Sequence, residues 1–388
     1  MPVKNRFAEM LPELTAIRRD FHEHPELLFD VHRTAGKVAD LLREYGCDEV
    51  VEGIGQTGVV GVIKGKTDKA GRVIGLRADM DALPIIEQSG AAHASKTLGK
   101  MHACGHDGHT TMLLGAAKYL CETRNFDGKA VVIFQPAEEG GGGGLEMCKD
   151  GMMDRWGIQE VYGMHNMPGI PVGEFAIRPG AIMAAADQIE ITVTGKGGHA
   201  AKPHEAIDTT VVAAHIIVAL QTVASRNVDP LKQVVVSVCA VETDTPAHNV
   251  IPQVVKMKGT VRTLDPETRD LAERRIAKIV SSTAAAFDAT AEVDYERGYP
   301  VTVNDPKHTE YAVEVARGVS GQIDPETPPL MGGEDFSFML NERPGAYIFV
   351  GNGDTAMVHH PAYDFDDNAI PFGASWYAGM IESRMPAA

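Results

Sequence analysis

Met101-His-Ala-Cys-Gly-His-Asp-Gly-His109 packs three histidines, a cysteine and an aspartate into nine residues. Imidazole, thiolate and carboxylate are the ligand types of zinc, manganese, cobalt and nickel sites. Gly105 and Gly108 would let the backbone bend so that several of these side chains meet at one point. Taken in isolation, a polar, His-rich surface loop would read the same way. The run gains weight because further ligand types follow, each beside a turn or a glycine: Glu138 and Glu139 ahead of a glycine run, His165 in Met-His-Asn-Met-Pro, and the pair His359-His360. Adjacent carboxylates such as Glu138 and Glu139 repel each other unless a cation lies between them. Arg77-Ala-Asp79-Met-Asp81 adds two aspartates suited to metal, to holding a ligand histidine in place, or only to a turn. His22-Glu-His-Pro-Glu26 also looks like a metal motif, but Pro25 forces an extended turn and no second ligand group lies nearby, so it reads as structural.

The elements that must carry these groups are legible as periodicity. Leu11, Leu14, Ile17 and Phe21 recur at helical spacing and predict a helix from Phe7 to His22; a second runs from Thr34 to Tyr45 and is closed by Gly46. Strands are expected at Gly58–Lys64 and Val73–Leu76, the latter delivering Asp79 and Asp81 just past its end. On a continuing strand the two aspartates would share one face. A helix over Thr110–Thr123 follows the His-rich run. Ala130–Pro136 is continuously apolar, as a strand buried on both faces is, and runs straight into Glu138, Glu139 and the glycines. The glycine run lacks the Lys-Ser/Thr of a phosphate-binding loop and reads as a bridge into a helix over Leu145–Asp150. Another strand carries His165. In α/β sheets, sites form at the carboxyl ends of strands, which is where these residues fall.

From Ala184 to about Gly298 the pattern changes. Strands at Gln188–Thr194, Val234–Val241, Val254–Arg262 and Ala291–Tyr295 alternate apolar with polar residues and are interleaved with helices at Ile207–Val223 and Pro266–Phe287. This βαββαβ order predicts an inserted ferredoxin-like α+β domain. His199 lies between its first strand and first helix, where imidazole and backbone amides can meet an oxyanion. Asn249 and Arg262 lie one hairpin apart, and Arg262 is either a fork for a carboxylate or a surface salt bridge. The expected layout is a catalytic α/β domain over residues 1–184 and 299–388, with the insert at 185–298. The closing part holds a helix at Thr309–Gly318, a strand at Ala346–Gly351 and a C-terminal helix to about Ser383.

Composition bounds the function. A formal net charge of −17 over 388 residues, with no Lys/Arg run, excludes a phosphate-rich partner such as nucleic acid and disfavours an anionic membrane. No apolar run reaches the ~18 residues of a membrane span, and the N-terminus lacks the apolar core of a signal peptide, so a cytoplasmic protein is expected. Five widely spaced cysteines suggest no disulfide framework, which leaves Cys104 free to act as a ligand. No GxSxG elbow supports serine-hydrolase chemistry.

Arg77-Ala-Asp-Met-Asp-Ala-Leu-Pro, Met-His-Ala-Cys-Gly-His-Asp-Gly-His, Phe-Gln-Pro-Ala-Glu-Glu-Gly, Gly-Lys-Gly-Gly-His-Ala-Ala-Lys-Pro-His, Ala-His-Asn-Val-Ile-Pro and Gly-Thr-Val-Arg-Thr together resemble the M20 metallopeptidase family, in its amidohydrolase branch of hippurate hydrolases, N-acyl-amino-acid aminoacylases and auxin-conjugate hydrolases. The resemblance spans nearly the whole chain. It implies an α/β/α metallohydrolase domain with a ferredoxin-like lid that also dimerises. It implies two divalent metal ions (Mn, Zn, Co or Ni) held by Cys104, His106, Glu139, His165 and His359. His359 is preferred over His360, which occupies a variable position. Glu138 would be the general base and Asp81 the aspartate that orients the site. His199, Asn249 and Arg262 match lid residues that contact the substrate carbonyl and carboxylate, partly across a subunit interface. One departure is Asp208-Thr209, where many relatives have Asp-Pro. The implied reaction is hydrolysis of an N-acyl amino acid in a homodimer. The rivals are an exopeptidase acting on dipeptides and a non-catalytic metal-binding or metabolite-sensing protein on the same scaffold.

Overall fold

The structure is a computed structural model and describes residues 5–387. Its chain divides into two compact units, one formed by residues up to Ile182 with Val303–Pro328 and the stretch from Asp335 onward, the other by Met183–Thr302 with Pro329–Glu334. The second unit therefore recruits the short segment 329–334, which the sequence reading assigned to the catalytic part.

Among the described residues the first unit is built on an eight-stranded sheet, in the order Glu49–Ile54, Gly58–Lys64, Lys129–Gln135, Val73–Asp79, Glu160–Met167, Gly345–Gly351, Phe175–Ala176, Ile323–Asp324. Its four middle strands, from Lys129–Gln135 to Gly345–Gly351, run parallel, and the two preceding them in this order pair antiparallel. Val73–Asp79 and Gly345–Gly351 are buried at every position, which explains the apolar runs Val73–Leu76 and Ala346–Val350 within them. Strand Glu49–Ile54 has no counterpart in the sequence reading; its exposed, charged residues mask the strand pattern. Helices Asn5–Glu23, His32–Tyr45, His106–Thr123 and Ile370–Arg384 pack together, while Gly143–Lys149 and Phe336–Glu342 form a separate pair against Lys129–Gln135 and Glu160–Met167. Gly46 closes the second helix in the left-handed conformation, its N–H reaching Arg43 and Leu42 carbonyls. Because the middle strands are parallel, their carboxyl ends share one edge of the sheet. The loops after Asp79, after Gln135 and after Gly351, and the late strand residue His165, all leave from that edge.

The second unit has an antiparallel sheet in the order Val234–Thr243, Val254–Thr263, Ala185–Thr194, Thr290–Tyr299, with helices Thr209–Leu220 and Pro266–Ala285 packed on it. The first strand thus lies between the third and fourth, the ferredoxin-like arrangement. Ile189, Ile191 and Val193 alternate inward and meet Val212, Ile216 and Ile276 in its core. Thr209–Asn227 is long and apolar enough to cross a membrane by length and composition, contrary to the expectation that no stretch would be. Val212, Ala213, Ile216 and Leu220 are nevertheless buried on the sheet, so its apolar character serves a core face. At the start of this helix Asp208 accepts from the Thr210 and Val211 amides, and the buried Thr209 hydroxyl donates to the Pro252 carbonyl at 2.8 Å. The departure from Asp-Pro therefore adds a tie that proline could not make.

Candidate metal centre

The His-rich run is only half a loop. Gly105 takes a left-handed φ of 84° and the helix begins at His106, four residues before its expected start. Gly105 bends the chain as expected, but Gly108 lies within the helix, and the reason for glycine there is contact: a Cβ would overlap the Phe365 ring. Cys104 thus sits on the turn, and His106 and His109 lie on the first turn of the helix.

The two glutamates need a sharper turn than a strand allows. The strand ends at Gln135, Ala137 adopts a left-handed φ of 53°, and Gly140 and Gly142 also have positive φ. Asp81 holds the turn by accepting the main-chain N–H of Glu138 at 3.0 Å and of Glu139 at 3.1 Å. The strand carrying Asp79 ends there, so Asp81 is not on a continuing strand. The two aspartates still converge on His106, whose Nε2 is 3.8 Å from Asp79 and whose Nδ1 is 3.4 Å from Asp81.

Around His106 the other groups close in. Glu138 and Glu139 carboxylate oxygens lie 4.0 and 3.9 Å from its Nε2. Cys104 Sγ is 3.3 Å from His165 Nε2, and His359 Nε2 is 3.3 Å from Glu139. Three sets of ligand atoms, Cys104/His106/His165, Cys104/Glu139/His359 and His106/Glu138/Glu139, each lie within 4.8 Å of one another and share members. His359 has a positive φ of 67° and its N–H donates to the Ala103 carbonyl at 2.7 Å, so a strained backbone holds it against the Cys104 turn. His360 instead turns its Nδ1 to the Ala362 amide.

The electrostatics call for positive charge. Burial works against a charged His106, yet Asp79, Asp81 and Glu139 outweigh it and raise its pKa to about 10. Burial, then Glu139, Glu138 and Asp79, push the Cys104 thiol well above its usual range. Burial also pushes Glu139 up, but His359 and His106 bring it below the usual carboxylate value. Both ring nitrogens of His106 and one oxygen of Glu139 are buried without a hydrogen-bond partner. Orphaned lone pairs among anionic groups fit a bound divalent cation, which would replace the protons on His106 and Cys104. An Asp79/His106/His109 grouping is also close enough to ligate, but His109 is committed elsewhere, with Nδ1 on Asp79 at 2.6 Å and Nε2 accepting from the Asn166 amide at 2.9 Å.

Residues 75–383 match the model of peptidase family M20/M25/M40. The chain belongs to that family. It is 45% identical to hippurate hydrolase of Campylobacter jejuni over 95% of each chain, and 40% identical to thermostable carboxypeptidase 2 of Saccharolobus solfataricus over 97% of this chain and 96% of that one. The solved structure of Bacillus subtilis YXEP, described as a dinuclear metal binding peptidase of family M20, superposes with a TM-score of 0.84 at 34% identity, covering 98% of this chain and all of that one. As an M20 member the chain is a hydrolase, and its cluster is suited to divalent metal.

The lid candidates lie in the second unit. His199 pairs with Val250, and Ala200 donates to the Asn249 carbonyl at 3.1 Å, so His199 and Asn249 line one cavity of about 430 Å³ with Gly197, Asp244 and Gln253. Arg262 does not line it. Its half-buried guanidinium bonds the Thr260 hydroxyl and the Val261 carbonyl through one nitrogen. His22 belongs to the first unit. It is buried, with Nδ1 2.8 Å from Asp107 and Nε2 3.3 Å from Glu87, and Arg18 beside it bonds Asp107 and Asp367. The motif is structural, but it braces the residue next to His106, a partnership that no local spacing signals.

Proposed function

We propose that this protein is a dinuclear metal-dependent amidohydrolase that cleaves N-acyl amino acids to a carboxylic acid and a free amino acid. The observation that carries the reading is the overlap of the three ligand sets at the carboxyl edge of the parallel strands, with Glu138 present beside Glu139. Cys104, His106, Glu139, His165 and His359 would hold the metals, drawn from Mn, Zn, Co or Ni. When bound, such ions lower the pKa of water and polarise a carbonyl. Glu138 takes the proton from the attacking water and passes it to the leaving nitrogen. Asp81 positions both glutamates through their amides and stands beside His106.

In the second unit, His199 and Asn249 would meet the substrate carbonyl, and Arg262 the free carboxylate of the amino-acid half. Hippurate is an acyl group on glycine, and a carboxypeptidase releases a C-terminal amino acid. Both relatives' names therefore fit an amide whose nitrogen belongs to an amino acid with a free carboxylate. The carboxypeptidase relative favours dipeptides as the second reading. Strand Val234–Thr243, at the edge of its sheet with Val235 and Val241 exposed, together with exposed Val211 and Val218 on the helix, supports a homodimer through this unit. A cytoplasmic location suits a reduced Cys104. The test is metal analysis of the purified protein with initial rates on N-benzoyl, N-acetyl and auxin-type conjugates against dipeptides. Faster turnover of dipeptides than of every N-acyl amino acid would overturn the substrate class.

A further inference from the structure

Asn166 follows His165 on the strand Glu160–Met167 and is fully buried. Every polar group it has is used. Its main-chain N–H donates to His109 Nε2 at 2.9 Å, and its carbonyl accepts from His165 Nδ1 at 2.5 Å. Its side-chain Nδ2 donates to the Cys104 carbonyl at 2.6 Å and to His109 Nε2 at 3.0 Å, while Oδ1 accepts from the Tyr363 hydroxyl at 2.7 Å. A carbonyl can only accept, so the Cys104 contact determines which end of the amide is nitrogen.

The two main-chain bonds set two tautomers. A proton donated from His165 Nδ1 leaves Nε2 bare, and Nε2 is the atom 3.3 Å from Cys104 Sγ. Because His109 Nε2 accepts, its proton sits on Nδ1, where Asp79 receives it at 2.6 Å. Asp79 is held in turn by Arg77, buried and bonded to Asp335 at 2.9 Å. One residue thus ties together the turn bearing Cys104, the helix bearing His106, the strand bearing His165, and Tyr363, four residues beyond His359. The space around it is closed. A Cβ on Gly105 would overlap both Asn166 Nδ2 and the Tyr363 hydroxyl, so the glycine of the His-rich run is required by this amide as well as by its φ.

We propose that the Asn166 side chain is a positioning group for the metal centre: through its bonds to the Cys104 carbonyl, His109 and Tyr363 it registers the Cys104 turn, the helix bearing His106 and the loop after His359 against the strand bearing His165. The proposal rests on the ligand set given above. Outer partners of metal ligands are worth about 10–100-fold in metal affinity.

The test uses Co²⁺ added to metal-free protein, read by titration affinity and by the near-ultraviolet thiolate-to-cobalt charge-transfer band that reports Cys104 ligation. Asn166→Ala should weaken Co²⁺ binding by about 10–100-fold and shift or weaken that band. Tyr363→Phe removes one bond without opening a cavity; it should move both readouts in the same direction by less, and it serves if Asn166→Ala does not fold. Asn304→Ala is the matched control, since Asn304 is an equally buried amide in the same unit, bonded to the Arg178 and Tyr347 main chain. It should lose stability yet keep both readouts. Unchanged affinity and band in both Asn166→Ala and Tyr363→Phe would overturn the proposal, as would equal losses in Asn304→Ala. Cys104→Ala separates the two readings: if it keeps the band and full cobalt stoichiometry, the ligand set is wrong, whatever Asn166 does.

Discussion

Glu138→Gln and Glu139→Gln should fail in different ways although the residues are neighbours. Both substitutions leave the loop's path alone, because that path depends on main-chain bonds to Asp81 at 3.0 and 3.1 Å and on the left-handed turn at Ala137. Glu139 presents a buried oxygen with no hydrogen-bond partner, 3.3 Å from His359 and 3.9 Å from His106. On the proposed ligand set, losing its charge removes a direct ligand, so metal affinity should fall by more than the ~10–100-fold typical of losing a supporting partner. Glu138 is at the edge of the cluster, 4.0 Å from His106, and its amide analogue keeps nearly the same shape. Metal content should stay near normal while turnover drops ~10²–10⁴-fold, equivalent to about 3–5 kcal/mol of transition-state stabilisation. Metal stoichiometry after gel filtration, paired with initial rates at saturating substrate, reads both. The reasoning fails if Glu138→Gln loses metal as badly as Glu139→Gln, or if it stays loaded and keeps most of its turnover.

Chelation should abolish activity, and added Mn, Co, Ni or Zn should restore it; full turnover of verified metal-free protein would contradict the mixed Cys/His/Glu ligand set. Gly105→Ala should cost about 2–5 kcal/mol, combining left-handed strain with overpacking against Asn166 and Tyr363, and a melting temperature within about a degree of the parent would refute the packing argument. Burial disfavours a charged His22, but Asp107 and Glu87 raise its pKa from 6.5 to about 9. Its contribution, at most about 3 kcal/mol, is therefore fully present below pH 6.5 and lost as pH rises through 9, and the stability of the parent should fall more steeply over pH 7–10 than that of His22→Gln. Parallel profiles would discount the His22–Asp107 pair. Arg262→Ala should lose the preference for substrates with a free carboxylate, at a cost of ~2–5 kcal/mol; equal hydrolysis of free acid and methyl ester by the unaltered enzyme would remove that role.

What could be read from the chain, and what could not, follows from where each constraint acts. Cys104, Glu138, Glu139 and His165 are legible because their chemistry is rare, and the last three also because apolar runs, a local signal, deliver them to strand ends. Gly108 misled for the opposite reason. A glycine inside a helix costs about 1 kcal/mol relative to alanine, so sequence alone places the helix start after it, but Phe365, far along the chain, leaves no room for a Cβ. Asn166 gave no signal at all, since an amide has no characteristic spacing and its partners come from three other segments. His22 likewise meets Asp107 only once the first helix has packed on the helix that begins at His106. The legible residues are those of rare chemistry at a local signal, and the illegible ones are those whose partners lie far along the chain. That division explains why candidate ligands can be named from sequence, whereas the tautomers of His165 and His109 follow only once their partners have packed around them.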